Sequence, residues 1–147
     1  MPKAAKIPYE TTFYVRDHCP CFRAQRQARL LARRFDQAFR PLDLTSGQFS
    51  LLIALNRPEP PALGSVALTL AMDRTTLTAA LKPLERRGLV EAKPHPGDRR
   101  SHVLALTRRG QALLARAFPV WQSVHAEIDR EDAGERAHRR QDQARQA

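Results

Sequence analysis

Two groups of side chains in this chain have the type and spacing to do chemistry. The first is Arg74, Thr75, Thr76, Thr78 and Lys82, in the run DRTTLTAALK from Asp73. A cation and short hydroxyls at the start of a helix can bind phosphate oxygens. Arg and Thr can also reach base edges in a DNA major groove about 12 Å wide. The amides of the helix N-terminus favour phosphate as well. Lys82 follows two turns later and could meet DNA backbone or a guanine. Capping and plain solvation are the alternative for the threonines. The second group is Asp98, Arg99 and Arg100, in HPGDRRSH. Asp98 and Arg100 share one side of a strand, so pairing them would stiffen a hairpin while Arg99 faces outward. An arginine there gains from the negative potential of a narrow minor groove. The alternative is a solvated surface turn.

The elements that must position these groups are written in the hydrophobic spacing. Phe22, Leu30, Leu31, Phe35 and Phe39 recur at intervals near three and four, which predicts a helix from Cys19 to about Phe39, stopped by Pro41. Thr45 and Gln48 form a capping box ahead of a largely buried helix carrying Phe49, Leu51, Leu52, Ile53 and Leu55. NRPEPP, residues 56–61, is a break. Leu63 to Leu70 is a short helix with Val66, Ala67 and Leu70 inward. Asp73 caps the next helix, which buries Leu77, Leu81 and Leu84, with Pro83 expected to bend or loosen it. Gly88 ends that helix. Val90–Lys93 and His102–Leu106 read as short strands around the basic tip. Thr107 caps a final helix with Leu113, Leu114, Phe118, Trp121, Val124 and Ile128. Residues 1–16 are expected to be a flexible arm, 17–130 the globular domain, and 131–147 a polar tail, either disordered or an exposed helix.

Composition narrows the partners. The chain has 147 residues, with 25 Lys and Arg against 15 Asp and Glu, a formal net charge of +10. That excess suggests a polyanion, nucleic acid before membrane. No apolar run approaches the roughly 20 residues that span a bilayer, and the start of the chain is no secretory signal. The expected setting is cytoplasmic. No metal-plus-base, nucleotide-binding or nucleophile–base motif appears, so neither an enzyme nor a cofactor is expected.

Cys19 and Cys21 flank Pro20, beside His18. They form no disulfide framework. Three readings stay open. Neighbouring arginines or a helix N-terminus would favour a reactive thiolate, with Cys21 as a redox sensor. A metal site would need His18 and both thiols around one tetrahedral ion, which so close a spacing hardly permits. Ordinary packing is the third reading.

At LTSGQFSLL from Leu44, DRTTLTAALKPLERRGLV from Asp73 and DRRSHVLALTRRG from Asp98, the chain resembles the MarR family. These are winged helix-turn-helix regulators that bind DNA as dimers. The resemblance covers about Cys19 to Ile128. It implies a mainly α (α+β) fold with N- and C-terminal dimerisation helices and a two-stranded β wing. The helix from Asp73 would recognise DNA, and Asp98 and Arg100 would hold the wing. Two departures stand out. Ala71 occupies a turn position that is often Gly, so that turn is expected to be tighter or differently shaped. Residues after Glu131 lack the apolar positions of a dimerising helix. Cys21-Phe22 resembles the start of the first helix in the hydroperoxide-sensing branch, but Phe35 and Ser46 stand where that branch has tyrosines. Many relatives sense small aromatic or phenolic acids. Phe22, Phe35, Phe39, Phe49 and Trp121 could line such a cleft, with arginines for a carboxylate, or could be plain core.

The expected function is therefore a homodimeric regulator, a repressor, that binds double-stranded DNA at a pseudo-palindromic operator. A thiol-sensing regulator using Cys21 and a non-specific architectural DNA-binding protein are the alternatives.

Overall fold

Proline and a cap set the first long helix. Pro20 occupies its first turn, where a missing N–H costs nothing, and the Cys19 Sγ accepts the Phe22 N–H at 3.5 Å. The helix, α2, runs Pro20–Phe39, and a 3₁₀ turn at Arg40–Leu42 follows it through Pro41. In the computed structural model residues 5–146 are described, with side chains to 145. A helix, α1, precedes α2 at Tyr9–His18. This corrects part of the expected flexible arm. YETTFYVRDH contains no Gly or Pro, Pro8 stands just before it, and Tyr9 packs edge-on against Phe13 at 4.9 Å. None of its residues is buried, which is why no apolar spacing announced it. Residues 1–4 of that arm lie outside the described residues.

The next helix, α3, spans Ser46–Leu55 and opens on the expected capping box. The Gln48 N–H donates to Thr45 Oγ1 at 3.1 Å, and the Thr45 N–H donates to Gln48 Oε1 at 3.1 Å. Helices α4, Leu63–Leu70, and α5, Arg74–Arg86, complete the helix-turn-helix. Gly88 ends α5 with φ of 68°, a conformation that suits glycine. The Gly88 N–H then reaches the Glu85 carbonyl and the Leu89 N–H the Leu84 carbonyl, a Schellman end.

Strands β1, Val90–His95, and β2, Asp98–Leu106, form an antiparallel hairpin longer than the alternation suggested. Val90 pairs with Leu106 and Pro94 with His102, and the register shifts between Pro94 and His95. The proline-rich break is tied to this hairpin: the Leu104 N–H donates to the Pro61 carbonyl at 2.9 Å, and Ala62 bridges to Val103.

Helix α6 runs Arg108–Gln146, so the tail takes the exposed-helix alternative. Thr107 starts it. Its Oγ1 accepts the Gly110 N–H at 3.1 Å and donates to the Gly88 carbonyl at 2.6 Å, joining α6 to the end of α5. A side chain at Gly110 would collide with the Leu89 carbonyl oxygen, which explains the glycine after LTRR. Phe39, Leu52, Val66, Leu77 and Leu84 are fully buried at the centre, where α2, α3, α4 and α5 meet. Each such side chain contributes about 1.5–3 kcal/mol when removed from water. No helix among the described residues is long and apolar enough to cross a membrane.

Candidate nucleic-acid interface

Leu77, Leu81 and Leu84 are buried along one side of α5, which sends the opposite side to solvent. The helix begins at a carboxylate. Asp73 accepts the Thr76 N–H at 2.8 Å and the Thr76 hydroxyl at 2.6 Å. The Thr76 hydroxyl, and then its backbone N–H, hold the Asp73 carboxyl below the usual aspartate range. The Thr78 hydroxyl donates to the Arg74 carbonyl at 2.8 Å. The expected readers therefore divide into two sets. Thr76 and Thr78 have committed their hydroxyl protons to the helix itself. Arg74, Thr75 and Lys82 are exposed and have no side-chain hydrogen bond or ion pair among the described residues. Pro83 sits inside α5 as expected. The carbonyl its missing N–H would have met belongs to Ala79, a residue open to water.

The turn before α5 keeps the shape a glycine would give. Ala71 takes φ of 51° and ψ of 41°, in the left-handed region. This corrects the expectation of a tighter or differently shaped turn: the left-handed conformation is kept and the alanine bears the strain.

The wing is held by Asp98, but not through a side-chain pair with Arg100. One carboxylate oxygen accepts the Arg100 backbone N–H at 2.9 Å and the other accepts the Ser101 hydroxyl at 3.1 Å. The Arg100 N–H is the main reason the Asp98 carboxyl lies below its usual range, with the Ser101 hydroxyl second. An aspartate carboxylate reaching the N–H two residues on is a local turn bond, so the main chain of Arg100, not its guanidinium, meets Asp98. Across the tip, His95 Nδ1 accepts the Gly97 N–H at 3.0 Å. Arg99 and Arg100 are both exposed, without an ion-pair partner among the described residues. The candidate interface thus consists of two elements, each with an aspartate bonded at its start, that carry exposed cations.

A separate cavity of about 520 Å³ lies between α2, α3, α4 and α6. Phe35, Phe39, Phe49 and Trp121 line it, as expected, together with Ser46, Ser50, Ile53, Ala54, Thr69, Leu70 and Phe118. Phe22 does not. It is exposed on α2, thirteen residues before Phe35, or about 20 Å along the axis at 1.5 Å per residue. The expected arginines are missing from the lining too. The nearest guanidinium contact is indirect: Arg57 donates to Thr69 Oγ1 at 2.9 Å, to Ser65 Oγ at 3.1 Å and to the Ala54 carbonyl at 3.1 Å. Arg57 and Phe118 were not visible as contributors, because nothing in their local spacing indicates where the chain brings them. Cys19 caps α2, and Cys21 is exposed with Gln25 Nε2 at 3.2 Å from its sulfur; neither lines the cavity. Among the described residues no group of three His, Cys, Asp or Glu could hold a metal.

A hairpin beside a capped helix is shared by many DNA-binding proteins, so the comparison with known sequences decides the family. The MarR family profile matches residues 44–102, from the start of α3 to the wing. The multiple antibiotic resistance protein MarR of Escherichia coli is 30% identical over 97 residues, 65% of this chain and 67% of that protein. This chain belongs to the MarR family. Within it, the transcriptional repressor NicR of Pseudomonas putida is 36% identical over 81 residues, 55% of this chain and 51% of its own length. The chain thus spans about half to two thirds of the curated relatives it matches. The transcriptional regulator MosR of M. tuberculosis, solved in complex with DNA, superposes with a TM-score of 0.70 at 36% identity. The match covers 76% of this chain and 80% of that one. The MarR fold, mainly helical with a two-stranded wing, is the one described above.

Proposed function

We propose that this MarR-family chain is a sequence-specific transcriptional repressor that binds a pseudo-palindromic operator as a homodimer. One observation carries the reading: Arg74 and Lys82 on α5, and Arg99 and Arg100 on the wing, are exposed cations without ion-pair partners among the described residues. Each lies on an element whose end is fixed by an aspartate. Unpaired cations held in this way suit a groove lined by phosphates. The net charge of +10 and the DNA-bound state of the related MosR support the same partner. Phe13, Val15, Phe22, Leu30 and Phe118 are exposed on α1, α2 and α6, apolar surface that a second copy would cover. Two wings and two α5 helices would then meet half-sites about 10 bp apart.

A gel-shift titration tests the assignment. Arg74→Ala should relax sequence preference. Arg99→Ala should weaken binding to every sequence and reduce the slope of log K against log salt by about 1. Unchanged affinity in both variants would overturn it.

The cavity supports a second element of the proposal, control by a small aromatic ligand. Its lining holds five aromatic rings and three hydroxyl side chains but no charged group. Two of the hydroxyls are engaged: Ser50 donates to the Ser46 carbonyl and Thr69 to the Ser65 carbonyl. Charged groups stand one bond outside the lining on both sides: Asp36 accepts the Ser46 N–H at 2.7 Å, and Arg57 donates to Thr69 Oγ1 at 2.9 Å while also bonded to Ser65 and Ala54. A carboxylate inside would find no cation in the lining itself, whereas rings and hydroxyls suit an uncharged aromatic or phenol. The proposed ligand is therefore uncharged. Trp121 is the one tryptophan of the chain and reports on occupancy. 2-Naphthol should change its fluorescence at lower concentration than 2-naphthoate does, and should release DNA. Equal or tighter binding of the acid would contradict this choice of ligand.

A further inference from the structure

Gly64 is the second residue of α4, and its backbone gives no reason for a glycine. Its φ is not in the left-handed region, and a glycine in a helix is less favourable than alanine. What it provides is space. A Cβ at Gly64 would lie 2.8 Å from an Nη of Arg74, 3.5 Å from its Cζ and 3.7 Å from its Nε. The guanidinium therefore rests on the bare backbone of α4. Its donors are free, since no hydrogen bond or ion pair among the described residues engages them. Arg74 is the first residue of α5, which the Asp73 cap opens. The guanidinium thus occupies space on α4 that a side chain at position 64 would take.

We propose that Gly64 is a positioning residue for Arg74: by lacking a side chain it seats the guanidinium against α4 and so determines the base sequence that Arg74 reads. This rests on the reading of α5 as the DNA-recognition helix. A methyl group at position 64 would push the guanidinium back by more than about half an ångström to reach ordinary contact, a large fraction of the tolerance of a hydrogen bond. A long, exposed side chain moves away at little cost in stability. The cost appears in the geometry of a two-bond contact to a base edge, which discriminates between bases only when both bonds form.

The test is a double-variant cycle on the full chain, with Gly64→Ala, Arg74→Ala and both together. Three quantities are compared: thermal midpoint, salt slope, and affinity for a selected operator relative to random DNA. Gly64→Ala should leave the midpoint unchanged or raise it by up to about 4 °C, as alanine is the better helix former. It should keep the salt slope and lose about five- to hundredfold in preference, the range of one bidentate base contact. The double variant should behave as Arg74→Ala alone. If Gly64→Ala keeps wild-type preference while Arg74→Ala loses it, the positioning role is wrong and the recognition helix stands. If Arg74→Ala also keeps preference, both readings fall. Additive losses in the double variant, or a midpoint lowered by Gly64→Ala, would show that position 64 acts on something other than Arg74 and would overturn the proposal.

Discussion

Asp98 shows how one side chain shapes the wing. It accepts the Arg100 N–H and the Ser101 hydroxyl, and these bonds lower its pKa below the usual range. A carboxylate with a lowered folded pKa gives its full stabilisation above the unfolded value, near 3.9, and loses it as pH falls through the folded one. A carbon-detected NMR titration should place the Asp98 midpoint below about 3.9, with faster Arg100 amide exchange as the acid form appears. Asp98→Ala should abolish that amide protection at every pH and weaken DNA binding while the helical core melts as before. A midpoint at the ordinary value would remove the proposed bonds. That Asp98 organises the wing was legible in the sequence, but the side-chain pair expected with Arg100 does not form. The carboxylate takes the Arg100 N–H two residues on, a local turn bond open to any residue at position 100, so the residue type there does not reveal it. Thr76 is similar. Its polarity suggests reading, but the 2.6 Å bond to Asp73 makes it part of the cap.

At the scale of elements, local signals were reliable wherever the responsible atoms lie close in sequence. The Thr45–Gln48 box, the Asp73 cap and the Gly88 end all formed as their residues indicate. Helix α1 was missed because it buries nothing, and Phe22 was misplaced because helical spacing does not tell how far a cavity extends. Ala71 offers a stability test. Its left-handed conformation costs about 1–2 kcal/mol, part of which glycine would return as chain entropy on unfolding. Ala71→Gly should therefore raise stability by about 0.5–1 kcal/mol in denaturant melts, without changing the slope of the transition. A loss of stability would contradict the observed turn. A second test concerns α6 beyond its last buried residue, Val124. Arg34 on α2 donates to both Glu131 oxygens, at 2.6 and 3.0 Å, and lies 3.6 Å from Glu127. Arg34→Ala should speed amide exchange in α6 after residue 127 and leave the wing unaffected.

For the whole molecule, we propose that a basic chain of the MarR family reads a defined sequence with α5 and steadies itself on DNA with the wing. Charge alone would favour any duplex, and a net +10 would give strong, salt-sensitive binding without selectivity. What would separate the two is the placement of Arg74 on α5 and Arg99 on the wing, proposed to meet base edges and the DNA backbone respectively. The most direct measurement is competition between an operator selected from a random pool and unselected DNA, at fixed salt, for the wild-type chain and for Arg74→Ala. The selected operator should be pseudo-palindromic with half-sites about 10 bp apart, and the wild type should prefer it at least a thousandfold. Arg74→Ala should lose much of that preference and keep its salt slope. A pool that never converges, with affinity set by salt alone, would rule out sequence-specific reading by α5.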